Sequence, residues 1–267
     1  MMAIKRLLPL GMIPGLVFVT PVLAQDSDLA KQLSNPVASL ISVPMQLNYD
    51  SGYGPSDGEK TVLNIQPVIP ISLNDDWNVI SRTIVPLVWQ KDIAGDSGSQ
   101  SGLGDVLASF FFSPKEPGPG GIIWGVGPAF LLPTATDDLL GSEKWGLGPT
   151  AVVLKQSGPW TYGALGNHIW SVAGADDRED ISSTFLQPFV SYTTQDAWTF
   201  SLNSESTYDW KHEQWSVPIN MMVSKVTKFG TQPVSFQVGA RYWADAPEGG
   251  ADEWGARAVF TLLYPKG

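Results

Sequence analysis

Histidine side chains are the first candidates for chemistry in this chain, which has two of them and no cysteine. A catalytic histidine acts beside a serine, cysteine or acid with which it forms a hydrogen bond. Neither His168 nor His212 stands at a spacing from a serine or an acid that identifies such a partner. Two histidines without cysteine also speak against a zinc site. The sequence therefore predicts no catalytic residue, no metal site and no enzyme activity.

Glycine pairs are the next candidates, because glycine-rich turns bind the phosphates of nucleotide cofactors. Gly125-Val126-Gly127 and Gly146-Leu147-Gly148 lie inside extended stretches, rather than between a strand and a helix. Glycine in such a place is better interpreted as a backbone bend. The P-loop pattern GxxxxGK[ST] does not occur in the chain. We therefore expect no cofactor.

Apolar and polar side chains alternate along the stretch 198–210, which indicates a strand with two different faces. One face carries Trp198, Phe200, Leu202, Ser204, Ser206, Tyr208 and Trp210. The other face carries Thr199, Ser201, Asn203, Glu205, Thr207 and Asp209. Aromatic residues at both ends of an apolar face are typical of a strand that crosses a membrane between two aromatic girdles.

Extended stretches of this kind repeat along the chain, and each has the length of a tilted strand that crosses a bilayer. They fall near residues 38–50, 60–73, 77–91, 102–113, 122–132, 144–156, 160–172, 181–193, 198–210, 213–229, 232–243 and 254–264. Short turns mostly alternate with longer, acidic connections, as at the two rims of a bacterial outer-membrane barrel. The predicted fold is all-β, a closed antiparallel transmembrane β-barrel of about 12 strands.

Composition bears on whether the apolar faces meet lipid or a core. A soluble β-sandwich or a lipocalin-like barrel would also alternate, with the polar face in water. Charged residues make up only 16% of the chain, and seven of its 11 tryptophans stand at or near predicted strand ends, both of which favour the membrane. The formal charge of −10 becomes −12 without Lys5 and Arg6, which makes nucleic acid an unexpected partner.

Polar residues on the inward faces of the predicted strands are the candidate site. The candidates that would line the lumen are Gln46, Asn48, Asp50, Asn64, Gln66, Arg82, Asn203, Glu205, Asp209, Asn220, Gln237, Arg241 and Arg257. Arginines on some strands and acids on others could impose a transverse field that orients polar solutes. Alternatively, these groups pair across a narrow interior and fill it. The strand count leaves both interpretations open.

The start of the chain predicts export. Lys5 and Arg6 precede an apolar stretch over 7–19, and Val22-Leu23-Ala24 precedes a cut near Gln25, which is the pattern of a signal peptide. We expect a signal peptide over 1–24, a periplasmic N-terminal lead over 25–37 with a turn or two of helix, and the barrel over 38–267. The expected location is the outer membrane of a Gram-negative cell.

This location implies partners. Outer-membrane lipid and lipopolysaccharide would surround the barrel, and the barrel-assembly machinery would read Tyr264 as the aromatic signal of the last strand. Three acidic clusters fall in the longer connections: Asp137-Asp138, Asp176-Asp177 with Glu179-Asp180, and Glu248 with Asp252-Glu253. They could hold divalent cations near lipopolysaccharide, although loop charge more often serves only to solvate the loop.

Four runs carry a resemblance to a known family. They are NPVASLISVPMQLNYD (35–50), NIQPVIPISLNDDWNVISRTIVP (64–86), GPAFLLPTATDDLLGSEKWGLGPTAVVLKQSGPWTYGAL (127–165) and STFLQPFVSYTT (183–194). The chain resembles bacterial outer-membrane proteins related to the MetA-pathway phenol-degradation proteins, often labelled "transporter" or "neuromedin U". The resemblance implies a porin-like passive transporter or channel for small solutes, including hydrophobic or aromatic ones. The alternative is a structural or surface-interaction barrel without transport.

Overall fold

The computed structural model of the chain describes residues 21–252 and 254–265. Its helix α1 spans Pro21–Leu33, and Pro119–Gly121 forms a 3-10 turn. The strands are β1 (Ile41–Tyr53), β2 (Gly58–Ile65), β3 (Val68–Ser72), β4 (Trp77–Lys91), β5 (Ser99–Leu103), β6 (Val106–Pro114), β7 (Ile122–Leu132), β8 (Lys144–Ser157), β9 (Trp160–Gly174), β10 (Ser182–Thr193), β11 (Trp198–Ser204), β12 (Ser206–Asp209), β13 (Gln214–Phe229), β14 (Gln232–Asp245) and β15 (Trp254–Tyr264).

The strands form one closed antiparallel sheet. Three barrel strands are interrupted and consist of two segments each, namely β2 with β3, β5 with β6, and β11 with β12. The first strand pairs with the last, with Ile41 opposite Tyr264, so that the sheet has no free edge there. The result is a closed barrel of 12 strands, and the predicted fold is confirmed.

Strand bounds follow the alternation closely. The strands β7 and β15 begin and end where the pattern predicts, at 122–132 and 254–264. The fourth barrel strand starts earlier than predicted, because β5 extends it back to Ser99. Conversely, β1 begins at Ile41 rather than at residue 38, since the preceding segment turns into the lumen with Val37 buried.

Prolines mark the places where strands are interrupted, since proline has no N–H to donate to the ladder. Pro67 stands between β2 and β3. The other two breaks lie opposite a proline of the neighbouring strand. Gly104 N donates to Pro86 O over 2.9 Å, and Glu205 N donates to Pro218 O over 3.2 Å. At the first break, Thr83 N donates to Pro67 O over 3.2 Å, so that each interrupted strand stays attached to a neighbour across its break.

The outer surface of the barrel is apolar and carries aromatic residues at both ends. Trp160 and Trp198 start strands at the end with the short turns, and about half of each side chain is exposed. Trp170, Trp210 and Trp254 are exposed to a similar degree at the end with the longer loops. Two aromatic belts around an apolar band are the outer surface of a membrane barrel. No helix of the described residues is long and apolar enough to cross a membrane.

Apolar side chains fill one side of the interior. Ile80 of β4, Phe111 of β6, Leu154 of β8 and Leu165 of β9 are almost completely buried in one cluster. Val37, from the segment before β1, belongs to the same cluster. Burial of each large apolar side chain is worth about 1.5–3 kcal/mol. This part of the interior is therefore packed as a core.

The helix α1 lies across the short-turn end of the barrel. Leu29 and Ala30 are buried in one cluster with Leu263 of β15. On another side, Gln156 of β8 donates a hydrogen bond to Lys31 O over 2.9 Å. The strands β8 and β15 lie on opposite walls, six barrel strands apart in either direction. The helix thus contacts both walls and crosses the opening.

The helix α1 spans the predicted boundary between the signal peptide and the N-terminal lead. The predicted signal peptide lies outside the described residues except for 21–24, which form the start of α1. The predicted lead over 25–37 contains the rest of the helix and the segment that leads into β1. The cleavage point and the periplasmic assignment of the lead stay predictions.

Lipid exposure of the outer band can be tested at Val238, an exposed residue in the middle of β14. Val238→Arg would place a charge in the hydrocarbon layer, so we expect the free energy of unfolding to fall by about 2–4 kcal/mol. The matched control Phe229→Arg, at the short-turn rim, should cost about 0–1 kcal/mol. Urea unfolding in lipid vesicles measures both values. Equal losses at the two positions would contradict a lipid-facing band.

Candidate functional site

Glu205 is the centre of an ion-pair network inside the barrel. It lies in the break between β11 and β12, where Pro218 opposite has no N–H to continue the ladder. Both carboxylate oxygens accept hydrogen bonds from Arg257 of β15, at 2.8 Å from Nη1 and 2.6 Å from Nη2. Asn48 Oδ1 of β1 accepts a third bond, from Arg257 Nε, at 2.7 Å. Paired donors of this geometry hold a carboxylate strongly and fix its orientation.

A second ion pair extends the network towards the loops. Arg241 Nε of β14 lies 3.4 Å from Asp50 Oδ1, an ion-pair contact without hydrogen-bond geometry. Asp50 Oδ1 instead accepts a hydrogen bond from Trp243 Nε1 at 2.8 Å. The Arg241 guanidinium lies over the Trp243 ring, 4.7 Å from its centroid, and 3.8 Å from Glu205 Oε2. The two carboxylates and two guanidinium groups therefore form one connected layer.

Glycine at position 255 permits this layer to form. A Cβ atom there would lie 2.5 Å from both Asp50 Oδ1 and Tyr49 O, far inside contact distance. Only a residue without a side chain lets β15 approach the Asp50 carboxylate so closely.

A cavity of about 420 Å³ lies between this network and the helix α1. Its polar wall carries amide and hydroxyl side chains, such as Gln66 and Asn203, together with Arg82 and Arg257. Phe185 lines it from the apolar side of the barrel. The cavity is therefore amphipathic, and it is continuous with the interior rather than with the lipid-facing surface.

The predicted lumen residues occupy the following places. Those that line the cavity are Gln46, Asn64, Gln66, Arg82, Asn203, Glu205, Gln237 and Arg257. Asn48, Asp50 and Arg241 are buried in the network beside it, and Asn220 is buried and donates a hydrogen bond to Asn203. Asp209 lies apart from the others, at the loop end of β12, where its carboxylate contacts His212. Twelve of the thirteen thus belong to the cavity or its surroundings.

Sequence reasoning missed three features of the lumen outside the cavity lining or at its end. Lys60 stands opposite Asp50 in the register of β1 and β2, on the same inward face as Asn64. The alternation that selected Asn64 also selects Lys60. Trp243 could be found in the same way, from its phase with Arg241. The helix that closes one end of the cavity carried no signal beyond a weak expectation of helix.

Cations exceed anions in the central lumen. The inward-facing cations there are Lys60, Arg82, Arg241 and Arg257, and the inward-facing anions are Asp50 and Glu205. Arg241 and Arg257 are matched by the two carboxylates. Lys60 and Arg82 therefore remain as an excess of positive charge in the central lumen.

The two histidines have other surroundings. His168 faces outward, where its Nδ1 lies 2.7 Å from Thr184 Oγ1 and its ring lies 4.0 Å from that of Trp170. Trp210 Nε1 donates to the same hydroxyl at 2.8 Å. These contacts make His168 part of the aromatic belt at the loop end. Within residues 21–252 and 254–265, no group of three or more histidine or acidic side chains is arranged to hold a metal ion.

His212 connects two loops at the loop end of the barrel. Its Nδ1 lies 2.9 Å from Asp209 Oδ2, and its Nε2 lies 3.3 Å from Glu179 Oε2 in the loop between β9 and β10. The hydrogen bond with Asp209 and the charge of Glu179 raise the pKa of His212. One acidic loop cluster is thus engaged by a histidine of this chain.

The fold is similar to those of solved outer-membrane barrels. An outer-membrane channel from Pseudomonas putida F1 matches with a TM-score of 0.66 at 16% identity, over 85% of this chain and 96% of that chain. A NanC porin matches with a TM-score of 0.49 at 11% identity, over 85% and 100%. The outer-membrane phospholipase dimer of Salmonella typhi, with bound calcium, matches with 0.47 at 10% identity, over 91% and 98%.

In sequence, no protein-family model and no curated protein matches the chain. The match to the Pseudomonas putida channel shows that the fold is that of an outer-membrane β-barrel. The narrower resemblance to phenol-degradation proteins stays a prediction.

The central ion pair can be tested by Glu205→Gln. This change leaves the Arg257 side chain, which is only 1% exposed, without its bidentate partner. Because an unpaired buried charge is costly, we expect the free energy of unfolding to fall by about 3 kcal/mol. The control Glu116→Gln, an exposed residue in the connection between β6 and β7, should leave it nearly unchanged. Denaturant unfolding in vesicles measures the free energy of unfolding of both variants. A Glu205→Gln variant as stable as the parent protein would show that the ion pair is solvated.

The loop contact of His212 predicts a pH dependence. Because the pKa of His212 is raised in the folded protein, its contribution to loop stability is fully present below the ordinary histidine value of about 6.5. That contribution is lost as the pH rises through the raised value. NMR titration of labelled histidines, with His212→Gln for assignment, should show His212 titrating above 6.5, and Glu179→Gln should lower its pKa. Titration at or below 6.5 would contradict the contact.

Proposed function

We propose that this protein is an outer-membrane channel through which small solutes diffuse. The observation that carries the proposal is the cavity of about 420 Å³ inside a barrel whose outer surface is an apolar band. A polar, partly open lumen inside a lipid-facing wall is the arrangement of diffusion channels. The outer membrane, its lipid and lipopolysaccharide are the proposed surroundings, and the barrel-assembly machinery is the proposed insertion partner.

The lining of the cavity supports a finer proposal about the solutes. Apolar surface comes from Phe185 and Phe189 of β10 and from Leu165 of β9. Hydrogen-bonding groups come from Gln187 and Ser191, which are also on β10. Such a mixed lining suits small molecules with an apolar body and a polar end. The proposed solutes are therefore small hydrophobic or aromatic compounds, in agreement with the resemblance to phenol-degradation proteins.

The excess of cations in the lumen supports a further proposal about the charge of the solutes. Long-range fields inside a low-dielectric wall raise the local concentration of ions of opposite sign. The channel should therefore prefer anions, although the chain as a whole carries a formal charge of −10.

A sealed structural barrel is the second candidate function. The helix α1 supports it, because the helix crosses the short-turn end with Leu29 and Ala30 buried against the barrel interior. An ion pair of 3.9 Å between Asp26 and Lys228 of β13 holds the helix further. For a channel to conduct, solutes must pass beside the helix or the helix must leave this position.

Current through planar bilayers distinguishes the two functions. We expect the full chain to conduct, with a reversal potential in a potassium chloride gradient that shows preference for chloride. Deletion of residues 26–33 should raise the conductance, because it removes the helix from the opening. Leu29→Glu, which puts a charge into the buried cluster, should act in the same direction, and Asp28→Glu, on the exposed side, is its control.

The opposite results would count against the channel. A full chain and a deletion variant that both insert without conducting would show a sealed barrel. Preference for potassium would contradict the assigned field of the lumen.

A further inference from the structure

Arg82 differs from the other arginines that face the lumen. Its Nη2 donates one hydrogen bond, to Gln66 Oε1 at 3.1 Å, and both residues line the cavity. Arg241 and Arg257 are each matched by a carboxylate. Among residues 21–252 and 254–265, no carboxylate forms an ion pair with Arg82. Arg82 is thus a cation directed at the cavity with most of its five donors free for a ligand.

Register places Arg82 firmly in the wall. It pairs with Val68 of β3 on one side and with Ser109 of β6 on the other. The amide of Gln66 restrains the guanidinium from the break that Pro67 creates in the second barrel strand. A guanidinium held in one orientation loses less freedom when it binds, so it recognises a planar two-oxygen group better than a mobile lysine does.

The strands β9 and β10, four and five barrel strands away from the strand of Arg82, contribute apolar side chains to the cavity. Phe185 and Phe189 of β10 and Leu165 of β9 line the cavity and belong to, or pack against, the buried apolar cluster. A ligand whose charged end meets Arg82 would therefore lay its other end on aromatic and aliphatic side chains. The volume of about 420 Å³ lies within the range of about 300–1,000 Å³ found for small-molecule sites.

We propose that Arg82 and Gln66 form a binding site for the carboxylate of a small organic anion whose apolar body packs against Phe185, Phe189 and Leu165. The carboxylate accepts two parallel N–H bonds from the guanidinium, a charge-assisted pairing that adds geometric specificity as well as energy. This inference rests on the proposed channel function, because it names the solutes that the lumen selects. The site lies between the ion-pair network and α1, so that a solute entering from the loop end would reach it before the helix.

Calorimetric titration of the detergent-solubilised full chain tests the site without a need for conduction. Benzoate and benzamide are the probes, since they share the ring and differ in charge. We expect benzoate to bind at least about tenfold more tightly than benzamide, because only benzoate forms a charge-assisted pair with Arg82. In Arg82→Gln this preference should be lost, and in Arg82→Lys it should be partly kept.

Lys60→Gln is the matched control, because it removes the same charge from the lumen at a residue that does not line the cavity. We expect it to keep most of the preference for benzoate. An equal loss in Lys60→Gln and Arg82→Gln would overturn the site and leave only a general field. Equal binding of benzoate and benzamide by the parent protein would overturn it as well, whatever the variants do, and circular dichroism verifies that each variant is folded.

Bilayer recordings on the same proteins separate this inference from the proposed function. Benzoate binding that depends on Arg82 in a barrel that never conducts would support the site and refute the channel. A chloride-preferring channel that binds benzoate and benzamide alike would support the channel and refute the site.

Discussion

Closure of the backbone hydrogen-bond ladder is the constraint on which the rest of this structure depends. In lipid an unpaired N–H or C=O group has no water to bind, and each such group costs several kcal/mol. The pairing of β1 with β15 removes the last free edge of the sheet. With an even strand count it also brings both ends of the described barrel to the short-turn side, and this is the side where α1 can fold back into the opening.

The width that follows from 12 strands then determines how the interior is used. Eight strands enclose a space that side chains fill, and sixteen leave an aqueous channel. Here the interior is filled only in part. Phe111 and Leu165 pack one wall as a core, whereas Glu205 and Arg257 tie the other wall together by an ion pair. The cavity is the space that neither the core nor the network fills, and the helix bounds it at one end.

The period of two predicted the 12 barrel strands, though not the breaks in three of them, and it predicted which side chains share a face, because every second side chain of a strand points to the same side. It could not predict which inward residues meet, since that depends on their height along the barrel axis. Asn203 and Glu205 share a face, yet one contacts Asn220 and the other Arg257. Asp209 shares that face too, but it lies at the loop rim. The position of α1 in the opening could not be predicted from the period either, because its burial depends on a space that exists only after the barrel closes.

Prolines in the strands link the hydrogen-bond ladder of the backbone to the arrangement of side chains in the lumen. At Pro67 and Pro218 the ladder lacks a donor, so the paired strand segments end and the backbone departs from regular pleating. Gln66 and Glu205 lie in or beside these breaks, and they are the residues that hold Arg82 and Arg257. The breaks in the ladder therefore position the side chains that orient the lumen arginines. The acidic loops give the chain its net negative charge, but salt screens that charge over about 8 Å at physiological ionic strength. A solute inside the lumen therefore meets the charge of these arginines instead.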